Sequence, residues 1–141
     1  MQVEQVMSQN VYYIPSTTSL SDAASSMRDH DTGFLPIGDD KDDRLKGVVT
    51  DRDIVVRGLA AGHNPLETTV ADVKTDKVLY CYKADDIRDA AKSMREQQVY
   101  RLIVLDNKES KRLCGIISLG DIVQNGKEEL GGHTADGIMS H

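Results

Sequence analysis

Aromatic side chains are scarce in this sequence, since its 141 residues include no Trp and one Phe. The aliphatic residues, with Ala and Met, must therefore build the core, and the 39% hydrophobic and 28% charged fractions are ordinary for a folded globular protein. A basic excess is also lacking. The formal net charge of −6 argues against a nucleic-acid partner, because neutralising phosphates needs clustered Lys and Arg. Most of this charge lies in residues 1–68, which carry −5 against −1 for residues 69–141, so the second half is less hostile to an anion.

Long hydrophobic runs are absent too, and none approaches the roughly 20 residues that span a bilayer. The first residues have neither the basic start nor the apolar stretch of a signal peptide. Two cysteines, Cys81 and Cys114, lie in apolar runs without CxxC or Cys/His spacing, so we interpret them as reduced thiols in a core. These features predict a cytoplasmic protein without a membrane partner.

The residue patterns that usually carry catalysis are missing. The four histidines, His30, His63, His133 and His141, have no metal-ligand spacing. The acidic run from Asp39 to Asp43 lacks the ordered spacing and the closing Glu of a calcium loop, and a solvated hairpin turn is the better interpretation. No phosphate-binding loop, nucleophile elbow or Ser/His/Asp set is present. We therefore predict that the protein is not an enzyme, has no metal site and requires no cofactor.

What the sequence does contain is an internal repeat. Residues Leu20, Asp22, Ala23, Ala24 and Met27 recur 67 positions later as Ile87, Asp89, Ala90, Ala91 and Met94. The stretch from Gly47 to Val55 recurs 68 positions later, from Gly115 to Val123. Chance rarely matches both ends of a unit with one inserted residue between them, so the chain is a duplication.

Each copy predicts the order strand, helix, strand, strand, helix, which is a mixed α/β (α+β) fold class. In the first copy the strands are Val11–Ile14, Phe34–Ile37 and Leu45–Thr50, and the helices begin after Ser19 and at Asp51. In the second copy the strands are Val78–Tyr82, Leu102–Leu105 and Leu113–Ser118, and the helices begin after Asp86 and at Leu119. Ser19 and Asp86 are the expected helix caps, and Gly62 is the expected stop of the second helix.

The repeat also predicts the domain boundaries. The first unit covers residues 1–62, a linker covers 63–69, the second unit covers 70–126, and a mobile tail with its Gly residues covers 127–141. A unit of about 60 residues buries little surface by itself, so the two copies are expected to pack against each other.

The chemical signal lies where the third strand of each copy meets its last helix. There a Gly, two β-branched residues, Thr50 or Ser118, two spacers, and Asp53 or Asp121 follow in the same order. A carboxylate in the first helical turn can accept two hydrogen bonds, and the cis 2′- and 3′-hydroxyls of a ribose donate such a pair. The same Thr/Ser-x-x-Asp pattern is also an ordinary helix cap, and this alternative stays open.

This duplicated motif, with its preceding helix and apolar strand, resembles the CBS domain, and two in tandem resemble a Bateman module. The stretch from Gly47 to Gly62 is similar to small stand-alone bacterial CBS-pair proteins. The resemblance implies two β-α-β-β-α units related by a pseudo-twofold axis and packed sheet to sheet. It also implies an adenosine-containing ligand in clefts between the units: AMP, ADP, ATP, S-adenosylmethionine or NAD.

The resemblance further implies which residues bind. One site would use Ser118 and Asp121 with Ser8, Val11 and Tyr12, and the other would use Thr50 and Asp53 with Thr75, Val78 and Tyr80. Arg101 occupies the place of an arginine that reaches the nucleotide phosphate in related proteins, although Tyr100 replaces the family's His beside it. In the first copy Phe34 stands at the position of Arg101, so the site around Asp121 is the better nucleotide candidate.

Two functions follow as hypotheses. The first is a regulatory sensor whose ligand changes how a protein target, or a second subunit, is engaged. The alternative is a structural dimerisation module with vestigial ligand sites. Both predict a homodimer, because the small units leave apolar helix residues such as Ile54, Val55 and Leu59 to be covered.

Overall fold

The computed structural model describes residues 1–9, 11–39, 41–75 and 78–125. They form two compact units, and the repeat is divided between them in an unexpected way. The first-copy unit is Tyr12–Val78, and the second-copy unit joins Met1–Val11 to the chain from Leu79 onward. The boundaries predicted from the repeat, 1–62 and 70–126, stay a prediction about copies along the chain. The predicted tail, 127–141, lies outside the described residues.

Both units mix helices and strands, which confirms the predicted α+β class. The first-copy unit contains helix α1 (Leu20–Asp29), strands β1 (Phe34–Gly38) and β2 (Leu45–Thr50), a π-helix (Asp53–Leu59) and helix α2 (Val70–Val73). The second-copy unit contains a 3₁₀ helix (Val3–Gln5), strand β3 (Tyr80–Tyr82), helix α3 (Ile87–Gln97), strands β4 (Arg101–Leu105) and β5 (Leu113–Ser118), and helix α4 (Leu119–Gln124). No helix in the described part of the chain is long and apolar enough to cross a membrane.

The sheets are small. In the first-copy unit β1 and β2 form an antiparallel hairpin, and in the second-copy unit β4 pairs parallel to β3 and antiparallel to β5. The predicted first strand, Val11–Ile14, is reduced to a single parallel bridge between Ile14 and Ile37. Pro15 follows that bridge where Tyr82 continues the strand in the second copy, and a proline has no N–H to donate to a ladder.

The helix caps predicted from the sequence are confirmed. The Ser19 side chain accepts a hydrogen bond from the Asp22 N–H at 3.0 Å, and the Asp86 carboxylate accepts one from the Arg88 N–H at 2.8 Å. These contacts satisfy N–H groups that have no partner inside the helix, and they set where α1 and α3 begin.

The predicted apolar stripes build the core of each unit, with one correction. All four members of the stripe on α3 are buried: Ile87, Ala90, Ala91 and Met94. On α1 three members are buried, but Ala24 is exposed because it lines a groove of about 540 Å³ between α1 and the π-helix. Ile54, expected on an uncovered helix face, is instead 6% exposed and belongs to the core of the first-copy unit.

A short segment before each copy folds onto the copy that it does not precede. The Val3 N–H donates to the carbonyl of Asp85 at 2.8 Å, and the Val70 N–H donates to the carbonyl of Thr18 at 2.8 Å. These two contacts are equivalent, because both partners differ by the repeat offset of 67. The short helices of these segments were not predicted. Each segment continues to the motif strand of its unit, where it supplies Ser8 or Thr75.

Candidate functional site

The Thr/Ser-x-x-Asp motifs lie at the strand-to-helix junctions, as the sequence indicates. The Asp53 N–H donates to Thr50 Oγ1 at 3.1 Å, and the Thr50 N–H donates to Asp53 Oδ2 at 3.0 Å. In the second copy the Asp121 N–H donates to Ser118 Oγ at 3.1 Å, and the Ser118 N–H donates to Asp121 Oδ2 at 2.8 Å. Both motifs are therefore capping pairs. The capping bond uses Oδ2 of each carboxylate. Which donors bind Oδ1 depends on the residues around the motif.

The glycine of each motif admits the neighbouring segment at close range. A Cβ on Gly115 would lie 2.8 Å from the carbonyl oxygen of Ser8, and one on Gly47 would lie 3.1 Å from that of Thr75. Ser8 pairs with Ile116 and Thr75 pairs with Val48 in equivalent antiparallel bridges. A side chain at Gly115 would collide with backbone, so this close approach requires a glycine. It places one hydroxyl residue next to each motif strand.

In the first copy this hydroxyl is directed at the motif carboxylate. Thr75 Oγ1 donates to Asp53 Oδ2 at 3.1 Å and lies 3.4 Å from Oδ1. On the other side Arg57 Nη1 lies 3.7 Å from Asp53 Oδ1 and donates to the carbonyl of Lys74 at 3.2 Å. The Asp53 side chain is 10% exposed. Its carboxylate is thus buried and internally satisfied.

The second copy leaves its carboxylate more open. Asp121 is half-buried, and among the residues that the structure describes only the Ser118 N–H donates to its carboxylate. Asn125 stands at the position equivalent to Arg57, and its amide donates to the main-chain carbonyl of Asp121 at 2.6 Å instead. Ser8, the counterpart of Thr75, is exposed. Asp121 Oδ1 is therefore available to an external donor in the described structure.

The strand register brings Arg101 beside the motif. Arg101 of β4 is the Cα partner of Ser118 of β5, and Phe34 of β1 is the Cα partner of Thr50 of β2. Directly opposed side chains on antiparallel strands have Cβ atoms about 5 Å apart. The register thus confirms that Phe34 and Arg101 are equivalent positions. It places an arginine across the ladder from the motif hydroxyl in the second copy and a phenylalanine there in the first.

The structure divides the predicted site residues between the two units. Ser8, Arg101, Ser118 and Asp121 come together in the second-copy unit, whereas Thr50, Asp53 and Thr75 come together in the first-copy unit. Of the predicted residues from the first strands, Val11 and Tyr80 belong to the second-copy unit, and Tyr12 and Val78 belong to the first-copy unit. The adenine-packing roles of these four residues stay predictions.

The two tyrosines among these four residues have partners within their own units. The Tyr12 ring stacks on His30 with ring centroids 4.1 Å apart, and its hydroxyl lies 3.2 Å from Ser26 Oγ. The Tyr80 ring contacts Tyr82 edge to face at 5.7 Å, and Lys111 Nζ lies 5.9 Å from the centre of the Tyr80 ring. These contacts restrict the rotamers of both rings.

Sequence reasoning missed Arg57 and Asn125. The signal for Arg57 was its spacing of four residues from Asp53, which puts the two side chains on the same side of a helix. The signal for Asn125 was the repeat offset of 68, which aligns it with Arg57.

The other chemically reactive groups are structural. Burial raises the pKa of the Cys81 thiol to about 12, and burial also raises the pKa of Cys114, so both thiols stay protonated at neutral pH. Both cysteines are free, as predicted. Within the described ranges, no three His, Cys, Asp or Glu side chains are grouped to hold a metal ion.

Comparisons with known proteins agree with the resemblance seen in the sequence. The family model of the CBS domain matches the chain twice, at residues 3–59 and 70–128. Hypoxic response protein 1 of Mycobacterium tuberculosis is 39% identical over 120 residues, which cover 85% of this chain and 81% of that protein. The crystal structure of Hypoxic Response Protein I with two coordinated zinc ions matches with a TM-score of 0.77 and 37% identity, covering 89% of this chain and 98% of that one.

Two further solved structures contain adenosine compounds. CBSX2 in complex with AMP matches with a TM-score of 0.73 and 26% identity, covering 91% of this chain and 97% of that one. A CBS domain pair in complex with 5′-methylthioadenosine and S-adenosyl-L-methionine matches with a TM-score of 0.71, covering 92% of this chain and 98% of that one. At its 23% identity the latter likeness shows the fold alone.

Proposed function

This chain belongs to the CBS domain family, with two CBS domains in tandem, and on that premise we propose that it is a non-catalytic sensor of an adenosine-containing ligand. The single observation that carries the proposal is the carboxylate of Asp121, which keeps an oxygen free of donors among the described residues while Arg101 lies across the ladder from Ser118.

The proposed binding mode follows from the oxygen of Asp121 that has no donor among the described residues. Asp121 Oδ2 is held by the Ser118 N–H, so the capping bond orients the carboxylate and leaves Oδ1 to accept from a ribose hydroxyl. A hydrogen bond to a charged acceptor contributes about 1.5–3 kcal/mol. Ser8, whose main chain pairs with Ile116 of the motif strand, adds a hydroxyl that can contact the ribose or phosphate.

Arg101 supplies the charge that a phosphate needs. A guanidinium can bind two phosphate oxygens at once through its planar fork of N–H groups. Its place beside Ser118 puts this charge on the same edge of the second-copy unit as the motif. We therefore infer that AMP, ADP or ATP binds better than adenosine, and S-adenosylmethionine and NAD are the other members of the ligand class. No metal or cofactor takes part in this binding mode.

Binding alone does not make a sensor. A ligand shifts a conformational equilibrium only by the difference between its affinities for the two states. The proposed sensor therefore has a second state, in which Asp121 or Arg101 is placed less well for the ligand, and a protein target or a second subunit responds to the change. We place this function in the cytoplasm.

A second function, a dimerisation module, is favoured by the outer face of the first-copy unit. Val55, Val56 and Leu59 on the π-helix are 55%, 45% and 50% exposed. Val55 and Leu59 also line the groove of about 540 Å³ between α1 and the π-helix. An exposed apolar patch beside a groove is typical of an interaction site. We propose that a second copy of the chain covers this face. Dimerisation can accompany ligand sensing, and it can also be the function of the protein by itself.

A ligand screen separates the two functions. The melting temperature of the full chain is measured with AMP, ADP, ATP, adenosine, S-adenosylmethionine and NAD. At 100 times its dissociation constant a ligand adds about 2.7 kcal/mol to the unfolding free energy, which raises the melting temperature by several degrees. A rise with one of these compounds that is lost in Asp121→Ala supports the sensor. No rise with any of them leaves the dimerisation module as the function.

The absence of catalysis is tested with the same compounds. After long incubation with the protein, ATP and S-adenosylmethionine are expected to be recovered unchanged by chromatography. Release of ADP, AMP or methylthioadenosine at a rate that follows protein concentration would show an enzyme.

A further inference from the structure

The carboxylate of Asp53 already has the partners that a ribose would supply. Thr75 gives it a hydroxyl donor at 3.1 Å, in place of a sugar hydroxyl. Arg57 lies 3.7 Å from its second oxygen, in place of a second donor, and the Asp53 side chain is only 10% exposed. A ligand hydroxyl would have to displace an existing hydrogen bond and separate the carboxylate from a guanidinium.

The second copy differs at both of these positions. Ser8 replaces Thr75 and is exposed, and no hydrogen bond joins it to Asp121 within the described residues. Asn125 replaces Arg57 and donates to a main-chain oxygen of Asp121, so no cation reaches the carboxylate from that position. The capping bonds are otherwise the same in the two copies. Two residues therefore separate a satisfied carboxylate from an open one.

We infer that Thr75 and Arg57 are specificity-determining residues that close the first copy to nucleosides by binding Asp53 themselves. The inference rests on the proposed function, since it takes the motif carboxylate to be the ribose acceptor. It assigns Thr75 a new role, because the resemblance implied that this residue contacts the ligand. The chain then binds one nucleoside through Asp121, and the first copy is blocked by its own side chains.

Arg57 also holds the main chain next to Thr75. Its Nη1 donates to the carbonyl of Lys74, the residue before Thr75, at 3.2 Å. The main chain of Thr75 is held in turn by the bridge to Val48, with N···O distances of 2.8 and 3.1 Å. The Thr75 hydroxyl is thus presented to Asp53 by main chain that is held at Lys74 and at Thr75, and it needs no rearrangement to compete with a ligand.

The experiment changes the two positions in each copy and counts bound nucleosides by titration calorimetry. The probe is adenosine, because the first copy has Phe34 at the position of Arg101 and so lacks the arginine to which we assign the phosphate. The opening variant is Thr75→Val with Arg57→Asn, which removes the hydroxyl at constant shape and installs the residue of the second copy. The closing variant is Ser8→Thr with Asn125→Arg, which installs the residues of the first copy at two exposed positions of the second.

The wild type is expected to bind one adenosine per chain and the opening variant two. The additional site is expected to survive Asp121→Ala in the opening variant and to disappear with Asp53→Ala. The closing variant is expected to bind adenosine at least tenfold more weakly than the wild type. Circular dichroism shows whether each variant is folded, and if the opening variant is not, the closing variant decides by itself.

The outcomes separate this inference from the function on which it rests. If adenosine binds the wild type and Asp121→Ala equally, the ribose assignment is wrong and the proposed function fails. If binding depends on Asp121 but the folded opening variant still takes one adenosine, or the closing variant binds normally, the proposed function stands and the roles of Thr75 and Arg57 are refuted. Two adenosines per wild-type chain also refute them.

Discussion

The two motif carboxylates have the same sequence environment and different chemical surroundings. Asp53 and Asp121 both follow a hydroxyl residue by three positions, and both cap a helix with the same pair of hydrogen bonds. Asp53 is then bound by Thr75 and Arg57, whereas Asp121 has no equivalent of either contact among the described residues. In a duplicated domain, therefore, a shared motif indicates a shared fold, and the residues around the motif decide whether a ligand can use it.

The helices that follow the two motifs, the π-helix and α4, differ in how much apolar surface they expose. The π-helix of the first copy exposes Val55, Val56 and Leu59, whereas α4 has Gln124 at the position of Val56 and exposes Val123 less, at 38%. Among the described residues, the first copy thus carries the larger exposed apolar face and the second copy the open carboxylate. We interpret this as a division of association and ligand binding between the copies. The following experiments test it, from the largest expected effect to the smallest.

The largest effect is expected on association. Leu59→Glu places a charge on the exposed face of the first copy, and in a symmetric dimer the loss occurs twice. Burying one such side chain contributes about 1.5–3 kcal/mol, so the dimer is expected to weaken by about 3–6 kcal/mol. Light scattering at micromolar concentration should change from a dimer to a 15.5 kDa monomer. The matched control is Leu66→Glu, at a leucine that is 74% exposed outside the helix. A monomeric wild type contradicts the prediction.

The next effect concerns the two carboxylates. Asp121→Ala is expected to weaken AMP binding by about 1.5–3 kcal/mol, because it removes a charged acceptor of the ribose. Asp53→Ala is expected to leave AMP binding unchanged and to lower the unfolding free energy by roughly 1–3 kcal/mol, because Thr75 and Arg57 lose their partner. Calorimetry and urea unfolding measure the two quantities. Equal losses of AMP affinity in the two variants would abolish the distinction between the copies.

A 2′,3′-dideoxy analogue of AMP sharpens this prediction without a mutation. The analogue lacks both ribose hydroxyls, so it should bind the wild type about as weakly as AMP binds Asp121→Ala. An analogue that binds as tightly as AMP shows that the carboxylate does not contact the ribose.

A somewhat smaller effect is expected at the equivalent positions Arg101 and Phe34. Arg101→Ala should weaken AMP by about tenfold, on the scale of a partly exposed charge-assisted hydrogen bond, and change adenosine little. Phe34→Ala is the matched variant of the first copy, and it should change the affinities for AMP and adenosine little and equally, because it alters packing in the copy that binds neither. Titrations with both compounds give the ratio of the AMP affinity to the adenosine affinity for each variant. An unchanged AMP affinity in Arg101→Ala would show that Arg101 does not bind the phosphate.

The smallest effect concerns alkaline stability. Burial raises the pKa of Cys81 to about 12 from its ordinary 9.0, so above pH 9 the unfolded chain loses a proton that the folded chain keeps. Stability therefore falls as pH rises from about 9 toward 12, and it is unaffected by this thiol below pH 9. Between pH 8 and pH 10, Cys81→Ala should lose roughly 1 kcal/mol less unfolding free energy than the wild type. Cys114→Ala, at a half-buried thiol, should differ less. An identical pH dependence in wild type and Cys81→Ala contradicts the prediction.

The sequence by itself determined the features that depend on local pattern. The periodicity of Ile87, Ala90, Ala91 and Met94 predicted a helix and its buried face, because side chains three and four positions apart share one side. The caps at Ser19 and Asp86, the strands Leu45–Thr50 and Leu113–Ser118, and the equivalence of Phe34 and Arg101 followed in the same way from spacing and from the duplication. The duplicated motif also led to the CBS family.

Only the tertiary structure decided what surrounds each carboxylate. Thr75 lies 22 residues from Asp53 and Ser8 lies more than 100 residues from Asp121, and no local pattern brings such residues together. The pairing arises because each short segment folds onto the copy that it does not precede, through main-chain bonds that depend little on side-chain identity. Ala24 shows the same limit, since its periodicity matches that of buried Ala91 but the groove beside it leaves it exposed. Periodicity records which side of an element is apolar, and the neighbouring elements decide whether that side is covered.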